Sequence, residues 1–240
     1  MTNVKVSVVI PAYNEELYIA ACLDSLVTQK IAEPFEVIVV DNASTDRTAE
    51  IASTYAARLH VRVIIEPHKG RGAARRAGFS RAQGDIIMST DADSVVPPNW
   101  IETMSRPLAD IRTVATTGTC YIKDLHVIRN FFFNIIQPAA MLMHRIVFGS
   151  FWMTGSNFAV KKAAYQRAGE FNAERNSQED TELAMRIMKE GKIRLILGAS
   201  VETSGRRFKR GLVRGLFSYV NNFFRHHLLG RRDLAMDDVR

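Results

Sequence analysis

Cysteine is scarce in this chain, which has two cysteines among 240 residues. Cys22 and Cys120 stand far apart, and neither belongs to a Cys-x-x-Cys pair. A disulfide framework or a structural zinc site needs several cysteines at close spacing. The sequence therefore predicts two packed thiols in a reducing compartment and argues against a small disulfide-stapled fold.

Long apolar runs are also missing. Residues 130–143 carry no charge, but Pro138 interrupts them and a bilayer-spanning helix needs about 20 apolar residues. Two interpretations remain for this stretch: a core or dimer-facing helix, or an apolar ledge for a lipid-linked acceptor or for bilayer contact. The first residues lack a signal-peptide pattern, so we expect a cytoplasmic protein, with peripheral attachment to the cytoplasmic membrane face as an alternative.

Two common nucleotide-binding fingerprints are absent. No Gly-x-Gly-x-x-Gly follows the first predicted strand at residues 5–10, and there is no Walker lysine motif. Gly70-Arg71-Gly72 follows the third predicted strand, which by itself is weak evidence. Dinucleotide-dependent and P-loop enzymes therefore rank low.

What is present is a regular alternation of strand and helix patterns. Apolar runs that predict buried strands occupy residues 5–10, 35–40, 61–65 and 85–88, with helix patterns between them. This alternation predicts an α/β fold with a parallel sheet. Strands are also expected at 113–119 and 193–197. Ser44 or Thr45 can cap the helix after the second strand, and a later helix opens near Ser177, its predicted N-cap.

The first four predicted strands end in polar clusters. Ligands bind at the carboxyl ends of parallel strands, so these clusters should share one edge of the sheet. They are Pro11–Glu15, Asp41–Ser44, Glu66–Gly72 and Asp91–Asp93.

Asp91 and Asp93 stand one residue apart after the fourth strand, so in extended chain their side chains point to the same side. Two carboxylates in one place favour a divalent cation, and oxygen ligands suit Mg²⁺ or Mn²⁺ held together with substrate phosphates. The alternative is a solvated Asp-rich turn before Pro97-Pro98.

Several short motifs follow one another in a fixed order. They are Val8–Glu15, Val39–Asp46, Lys69–Gly70 with Ala73–Arg75, Asp91–Asp93, Thr154–Asn157 and Glu179–Asp180. Together they closely resemble the family 2 glycosyltransferases of GT-A fold, over about residues 4–205. The resemblance implies a Rossmann-like, mostly parallel sheet flanked by helices. It also implies sugar transfer from a nucleotide-sugar donor with inversion at the anomeric carbon, aided by a divalent metal.

The resemblance assigns roles to individual residues near the donor. Asp41 would accept a hydrogen bond from the base, which favours uracil or guanine, although it could instead be a helix-capping acid. Asp93 would bind the metal, and Asp91 would face the ribose or the metal. The remaining residues implied in nucleotide binding are Pro11, Ala12, Tyr13, Glu15 and Lys69, of which Tyr13 could stack on the base.

Asp180 matches the catalytic base of the family, which takes the proton of the acceptor hydroxyl. Glu179 would raise the pKa of Asp180 by its charge, and it is the second candidate for the base or a ligand of the acceptor sugar. Asp180 could also serve as the acid at the third position of a capped helix. Arg75 stands where the family often has another polar residue, so the resemblance gives it no role.

The Gln-x-x-Arg-Trp motif of polymer-building members is absent, which argues against a processive synthase. Arg206 or Arg207 could still reach the donor diphosphate, or they could open a solvated basic helix. We expect a single domain, 1–240. Residues 1–97 form its nucleotide-sugar half, 98–205 its acceptor and catalytic half, and 206–240 a basic amphipathic helix and tail.

The net charge of +7 permits an anionic membrane surface or a phosphorylated substrate as partner. We expect a UDP- or GDP-sugar donor and a glycan or lipid-linked acceptor, such as a polyprenyl phosphate. No DNA-binding motif is present, so nucleic acid is not an expected partner. A nucleotidyltransferase and a non-catalytic nucleotide-binding or membrane-associated module are the alternatives. The oligomeric state is left open.

Overall fold

A computed structural model describes residues 4–122 and 127–208 of the chain. Its strands are β1 (Val6–Ala12), β2 (Phe35–Asp41), β3 (Val61–Ile65), β4 (Ile86–Ser89), β5 (Ser94–Val95), β6 (Thr113–Ile122), β7 (Phe158–Lys161) and β8 (Lys192–Thr203). Its α-helices are α1 (Ile19–Val27), α2 (Thr48–Ser53), α3 (Arg71–Arg81), α4 (Trp100–Ser105), α5 (Val127–Phe148), α6 (Lys162–Arg167) and α7 (Glu179–Ile187).

The strands form one mixed sheet in the order β3-β2-β1-β4-β7-β6-β8-β5. The first four of these strands are mutually parallel, and β6 also pairs with β8 in parallel. Strand β7 runs antiparallel to both β4 and β6, and β5 runs antiparallel to β8. The predicted mostly parallel α/β sheet is thereby confirmed.

The strand register places the predicted polar clusters at one edge. Ala12 at the end of β1 pairs with Asp41 at the end of β2, and β4 ends just before Asp91. Since these strands are parallel, their carboxyl ends meet at the same edge of the sheet. The edge carries the candidate site.

Two apolar clusters cover the two faces of the sheet. One packs α1 and α4 against it through fully buried Leu23 and Trp100, and the other packs α3 and α7 through Phe79 and Leu183. Gly78 allows α3 to lie close, because a Cβ there would stand 2.3 Å from Val9 Cγ1. Each cluster buries enough apolar surface to be a main source of stability.

Two predicted helix starts are wrong. Helix α2 begins at Thr48 rather than after Ser44 or Thr45, because the Ser44 hydroxyl accepts a hydrogen bond from the Asn14 backbone N–H. Helix α7 begins at Glu179, and its N-cap is Gln178, in a left-handed conformation with φ 54°, rather than Ser177.

The structure describes residues 130–143 but only the start of the predicted C-terminal amphipathic segment. Residues 130–143 lie within α5, which continues through Pro138. Gly205–Phe208 form a 3₁₀ turn at the start of the predicted amphipathic segment, and residues 209–240, which would form the rest of that helix, lie outside the described residues. In the part of the chain that is described, no helix has both the length and the apolar character needed to cross a bilayer.

Candidate active site

The loop after β1 is tied to the loop after β2. The side-chain oxygen of Asn14 accepts a hydrogen bond from the Thr45 backbone N–H at 2.8 Å. Pro11 and Ala12 belong to β1 itself, so they contribute backbone at the edge rather than a loop. The Tyr13 ring lies at the start of the loop, with Lys69 Nζ 3.9 Å from the ring centroid, a cation–π contact. Two residues that are predicted to bind the nucleotide sugar are thus in direct contact.

Asp41 ends β2, Asn42 follows it, and both are buried. Asp41 accepts a hydrogen bond from the Ser44 backbone N–H at 3.2 Å, so it caps the loop rather than the helix that follows. The Asn42 amide donates to the carbonyls of Glu66 and His68 and accepts from the backbone N–H of Gly70 at 2.7 Å. Asn42 therefore fixes the segment that carries Lys69, a role that was not predicted from the sequence although Asn42 lies within the motif Val39–Asp46.

The carboxylate of Asp93 is paired with Arg206. Arg206 Nη2 lies 2.8 Å from Asp93 Oδ2, and the same guanidinium binds both oxygens of Glu15 at 2.6 and 2.8 Å. Its carbon Cζ stands 4.9 Å from the ring centroid of Tyr18. The structure therefore brings Arg206, whose side chain is 14% exposed, to the candidate metal ligand and makes it the partner of buried Glu15. The side chain of Arg207 lies outside the described residues.

Arg75 is the central cation of the site. Its side chain is 3% exposed, with Nη1 2.7 Å from Glu179 Oε1 and Nη2 2.8 Å from Asp91 Oδ1. Desolvation lowers the pKa of Arg75, but Asp91, Glu179 and Asp180 more than offset this and raise it overall. A charged Arg75 thus links Asp91, which is the candidate ligand of the metal or the ribose, to Glu179, which precedes the candidate base Asp180.

Asp180 lies beside this network on the first turn of α7. Desolvation by burial and the charge of Glu179 raise the pKa of Asp180 to about 6, against the opposing effects of Arg75 and of the N–H groups of Thr181 and Gly155. Asp180 Oδ1 accepts from the adjacent Thr181 backbone N–H at 2.8 Å. A carboxylate with a raised pKa is a stronger general base.

The motif Thr154–Asn157 supports this site. A Cβ at Gly155 would stand 2.7 Å from Arg75 Nη2 and 2.9 Å from Asp180 Oδ2, so a side chain there would disturb both. Asn157 is fully buried and accepts from the Trp100 indole N–H while donating to the carbonyls of Thr119 and Ala199. Glycine thus makes room for the charges, and asparagine holds the surrounding strands.

The candidate metal ligands are oxygen donors. Among the residues that the structure describes, no cluster of three or more His, Cys, Asp or Glu side chains could hold a metal alone. Asp91 and Asp93 offer two carboxylates, with the Asp91 side chain 38% exposed. This donor set fits Mg²⁺ or Mn²⁺ that is completed by substrate phosphate and water, as these ions are commonly bound.

Comparison with known proteins identifies the family. The model of "Glycosyl transferase family 2" matches residues 7–169. The glycosyltransferase GlyG of Streptococcus pneumoniae serotype 4 is 29% identical over 163 residues, 67% of this chain and 48% of that protein. The undecaprenyl-phosphate 4-deoxy-4-formamido-L-arabinose transferase of Pectobacterium atrosepticum is 38% identical over 40% of this chain and 31% of its own length. The chain thus spans about half or less of these curated relatives.

Solved structures show the same fold. Residues 1–349 of TarS from S. aureus, in complex with UDP-GlcNAc, align with a TM-score of 0.68 and 22% identity, over 83% of this chain and 58% of that one. The mannosyltransferase PcManGT from Pyrobaculum calidifontis, with GDP-Man and Mn²⁺, aligns with a TM-score of 0.67 and 24% identity, over 90% and 64%. These matches confirm the predicted GT-A fold. The chain belongs to family 2 of the glycosyltransferases.

Proposed function

We propose that this protein transfers a sugar from a UDP- or GDP-sugar to the hydroxyl or lipid phosphate of an acceptor, with inversion at the anomeric carbon and, where the acceptor is a hydroxyl, with Asp180 as the base. The observation that carries the proposal is the charge network around Arg75. It joins Asp91, at the donor edge of the sheet, to Glu179, next to Asp180. A donor-side acid and a candidate base are thereby held in one rigid arrangement.

In the proposed reaction, Asp180 removes the proton from the acceptor hydroxyl while its oxygen attacks the anomeric carbon from the face opposite the nucleotide. General-base catalysis of this kind contributes about 10²–10⁴-fold to the rate. Arg75 keeps the neighbouring carboxylates in place and limits the rise in the pKa of Asp180. The base is therefore deprotonated at neutral pH yet more basic than an ordinary aspartate.

The donor is proposed to lie along the edge formed by β1, β2 and β4. Tyr13 stacks on the base and Asp41 accepts its ring N–H, while Lys69 and Arg206 lie near the phosphates. Asp91 and Asp93 would hold a divalent ion, which when bound neutralises charge on the diphosphate leaving group. The two neighbours that carry UDP-GlcNAc and GDP-Man support a uracil or guanine nucleotide.

The acceptor class is proposed from a relative. One curated relative is named for transfer to undecaprenyl phosphate. A lipid phosphate on the cytoplasmic membrane face is therefore a candidate acceptor here. An ionised phosphate needs no base, so the dependence on Asp180 also distinguishes a hydroxyl acceptor from a phosphate acceptor.

The test uses Asp180→Asn, with Glu182→Gln on the same helical turn as its control, because Glu182 pairs with Arg186 instead of Arg75. With a hydroxyl acceptor, Asp180→Asn should reduce transfer by at least about 10²-fold. Calorimetry should show unchanged donor affinity for both variants. If Asp180→Asn transfers sugar to a hydroxyl as fast as the wild type, Asp180 is not the base. If the wild type binds a donor but transfers no sugar from it to any acceptor, the chain is a non-catalytic module, and if it binds neither donor, the assigned donor class is wrong.

A further inference from the structure

Helix α5 exposes an apolar surface. Over residues 135–147 the one charged side chain is Arg145, while Met141 and His144 point inward. The large apolar side chains that are at least half exposed are Ile135, Ile136, Leu142, Met143, Ile146 and Val147. A continuous apolar patch of this kind on a soluble domain usually marks a site of contact with a partner or a membrane.

A basic cavity lies at the C-terminal end of α5. Its volume is about 810 Å³, and its lining includes Arg112, Arg145, Lys192 and Arg194, with Asp110 as the one carboxylate. Positive charge therefore dominates the lining, as expected of a site for anionic groups.

Further apolar side chains surround this opening. Ile111, next to Arg112, is 87% exposed, and Leu197, which lines the cavity, is 61% exposed. Since Arg145 of α5 also lines the cavity, the helix and the cavity adjoin. We call the two together the α5 surface: residues 135–147 of α5 with Ile111, Arg112, Lys192, Arg194 and Leu197.

The cavity is separate from the candidate active site. It lies where β6 and β8 begin, since Thr113 pairs with Lys192, whereas Asp91 follows the end of the parallel strand β4. Helix α7 starts at the site with Glu179 and ends beside Met188, which lines the cavity. Its nine residues span roughly 13 Å. Substitutions at the cavity therefore leave the site residues untouched.

The other half of α5 approaches the active-site edge. The Gln137 side chain accepts a hydrogen bond from the Cys120 backbone N–H at 2.9 Å, near the carboxyl end of β6. Strands β4 and β6 are parallel to each other, because both run antiparallel to β7. The apolar face of α5 therefore extends from the active-site edge to the basic cavity.

We propose that the α5 surface docks on an anionic phospholipid bilayer, with the exposed face of α5 in the interfacial layer and lipid headgroup phosphates in the basic cavity. An apolar helix face bordered by cations is the composition that binds such an interface. Charge complementarity favours an acidic bilayer over a second copy of the chain, because two copies would bring like-charged cavities together. If the proposed function also holds, docking brings the active-site edge to the depth of a lipid-linked acceptor.

The test is co-sedimentation of the full chain with phosphatidylcholine vesicles, with and without phosphatidylglycerol. The charge variant is Arg145→Gln with Arg194→Gln, and its control is Arg81→Gln at the exposed end of α3. Each basic residue at an anionic surface accounts for about a fivefold change in affinity, so the charge variant should bind about 25-fold more weakly. The control should bind as the wild type does.

The apolar variant is Ile146→Gln with Val147→Gln, and its control is Leu17→Gln, since Leu17 is 82% exposed elsewhere. The apolar variant should bind more than about tenfold more weakly, and its control should be unchanged. Urea denaturation midpoints equal to that of the wild type show that the variants are folded.

Three results would overturn the proposal. The first is wild-type affinity for both variants, which would assign any binding to another part of the chain, such as the basic stretch 206–240. The second is equal binding to vesicles without phosphatidylglycerol. The third is a wild-type dimer that the apolar variant dissociates, which would make a second copy the occupant.

A nitroxide at position 146, introduced by Ile146→Cys, gives an independent readout of depth. It should gain contact with lipid-soluble oxygen and lose contact with a water-soluble nickel chelate on vesicle binding. A nitroxide at position 17 should show neither change. If the label at position 146 stays fully accessible to the chelate on bound protein, the face does not enter the bilayer.

Discussion

Replacement of Arg75 by methionine should be strongly destabilising. The guanidinium is 3% exposed and makes charged hydrogen bonds of 2.7 and 2.8 Å to Glu179 and Asp91. Removing one partner of a buried ion pair leaves uncompensated charge in the interior, which costs about 3–5 kcal/mol. We therefore expect Arg75→Met to lower the free energy of unfolding by that amount in urea denaturation at neutral pH.

The neighbouring residue provides the control. The Arg76 side chain is 54% exposed, and its Nε lies 3.8 Å from Glu170 Oε2. An exposed pair of this kind contributes about 0–1 kcal/mol, so Arg76→Met should be nearly neutral. Arg75→Lys should fall between the two, because it keeps the charge but cannot form a fork to both carboxylates.

The effect of Arg75→Met should also depend on pH. Arg75 lowers the pKa of Asp180, so without it the pKa of Asp180 rises further. Protonation of Asp180 then removes one of the uncompensated charges. The difference in the free energy of unfolding between the wild type and Arg75→Met should therefore shrink as the pH falls from 8 to 5. If Arg75→Met and Arg76→Met lie within about 1 kcal/mol of each other at pH 8, the network around Arg75 does not hold the site together.

Three further substitutions probe the parts around this network. Asn157→Ala should cost about 3 kcal/mol or more in urea denaturation, because it leaves the Trp100 indole N–H and two carbonyls without their partner. Asp180→Asn should raise stability at pH 8 by about 3 kcal/mol, since a raised carboxyl pKa destabilises the fold above that pKa. The gain should fade as the pH falls below about 6, toward the ordinary pKa of aspartate. Gly155→Ala should slow transfer at least tenfold in a steady-state assay with little change in donor affinity, because its Cβ would displace Arg75 or Asp180. Equal rates for Gly155→Ala and wild type would mean that this crowding is relieved without moving either charge.

The sheet was predictable because its signals are local. Apolar runs mark β1 to β4, and the polar residues that follow each run mark the carboxyl ends of the strands. The rule that parallel strands share an edge then places Asp41 near Asp91 without any further information. The same reasoning did not reach the pairing of β6 with β7 and β8, because these contacts depend on long connections whose length and composition do not fix a neighbour.

The charge network was not predictable from spacing. Arg75 and Glu179 are 104 residues apart, and Arg206 and Glu15 are 191 residues apart. These residues pair because the two halves of the sheet bring them together. No local sequence pattern predicts this arrangement. A signal was nonetheless present, because Arg75 stood inside a recognised motif. A buried arginine flanked by small residues in a helix is expensive unless it has carboxylate partners.

The helix starts were wrong for a related reason. Serine is favoured at helix N-caps, which is why Ser44 and Ser177 were expected there. The Ser44 hydroxyl instead has a tertiary partner, and α7 starts after Gln178. Propensity describes what a residue can do locally, and a tertiary hydrogen bond of similar strength redirects it. Asp180 is consequently the second residue of α7, where it accepts the Thr181 backbone N–H and where Arg75 opposes the rise in its pKa.

The proposed binding of a UDP- or GDP-sugar with a divalent metal is tested most directly by a thermal-shift series. The series uses UDP, GDP, CDP and ADP, each with and without Mn²⁺, on the wild type and on Asp93→Ala. A ligand at about 100 times its Kd stabilises the fold by about 2.7 kcal/mol. We expect that UDP or GDP raises Tm, that Mn²⁺ increases the shift, and that Asp93→Ala loses most of the Mn²⁺-dependent part. An equal shift with all four nucleotides, or none with any, would contradict the assigned donor site.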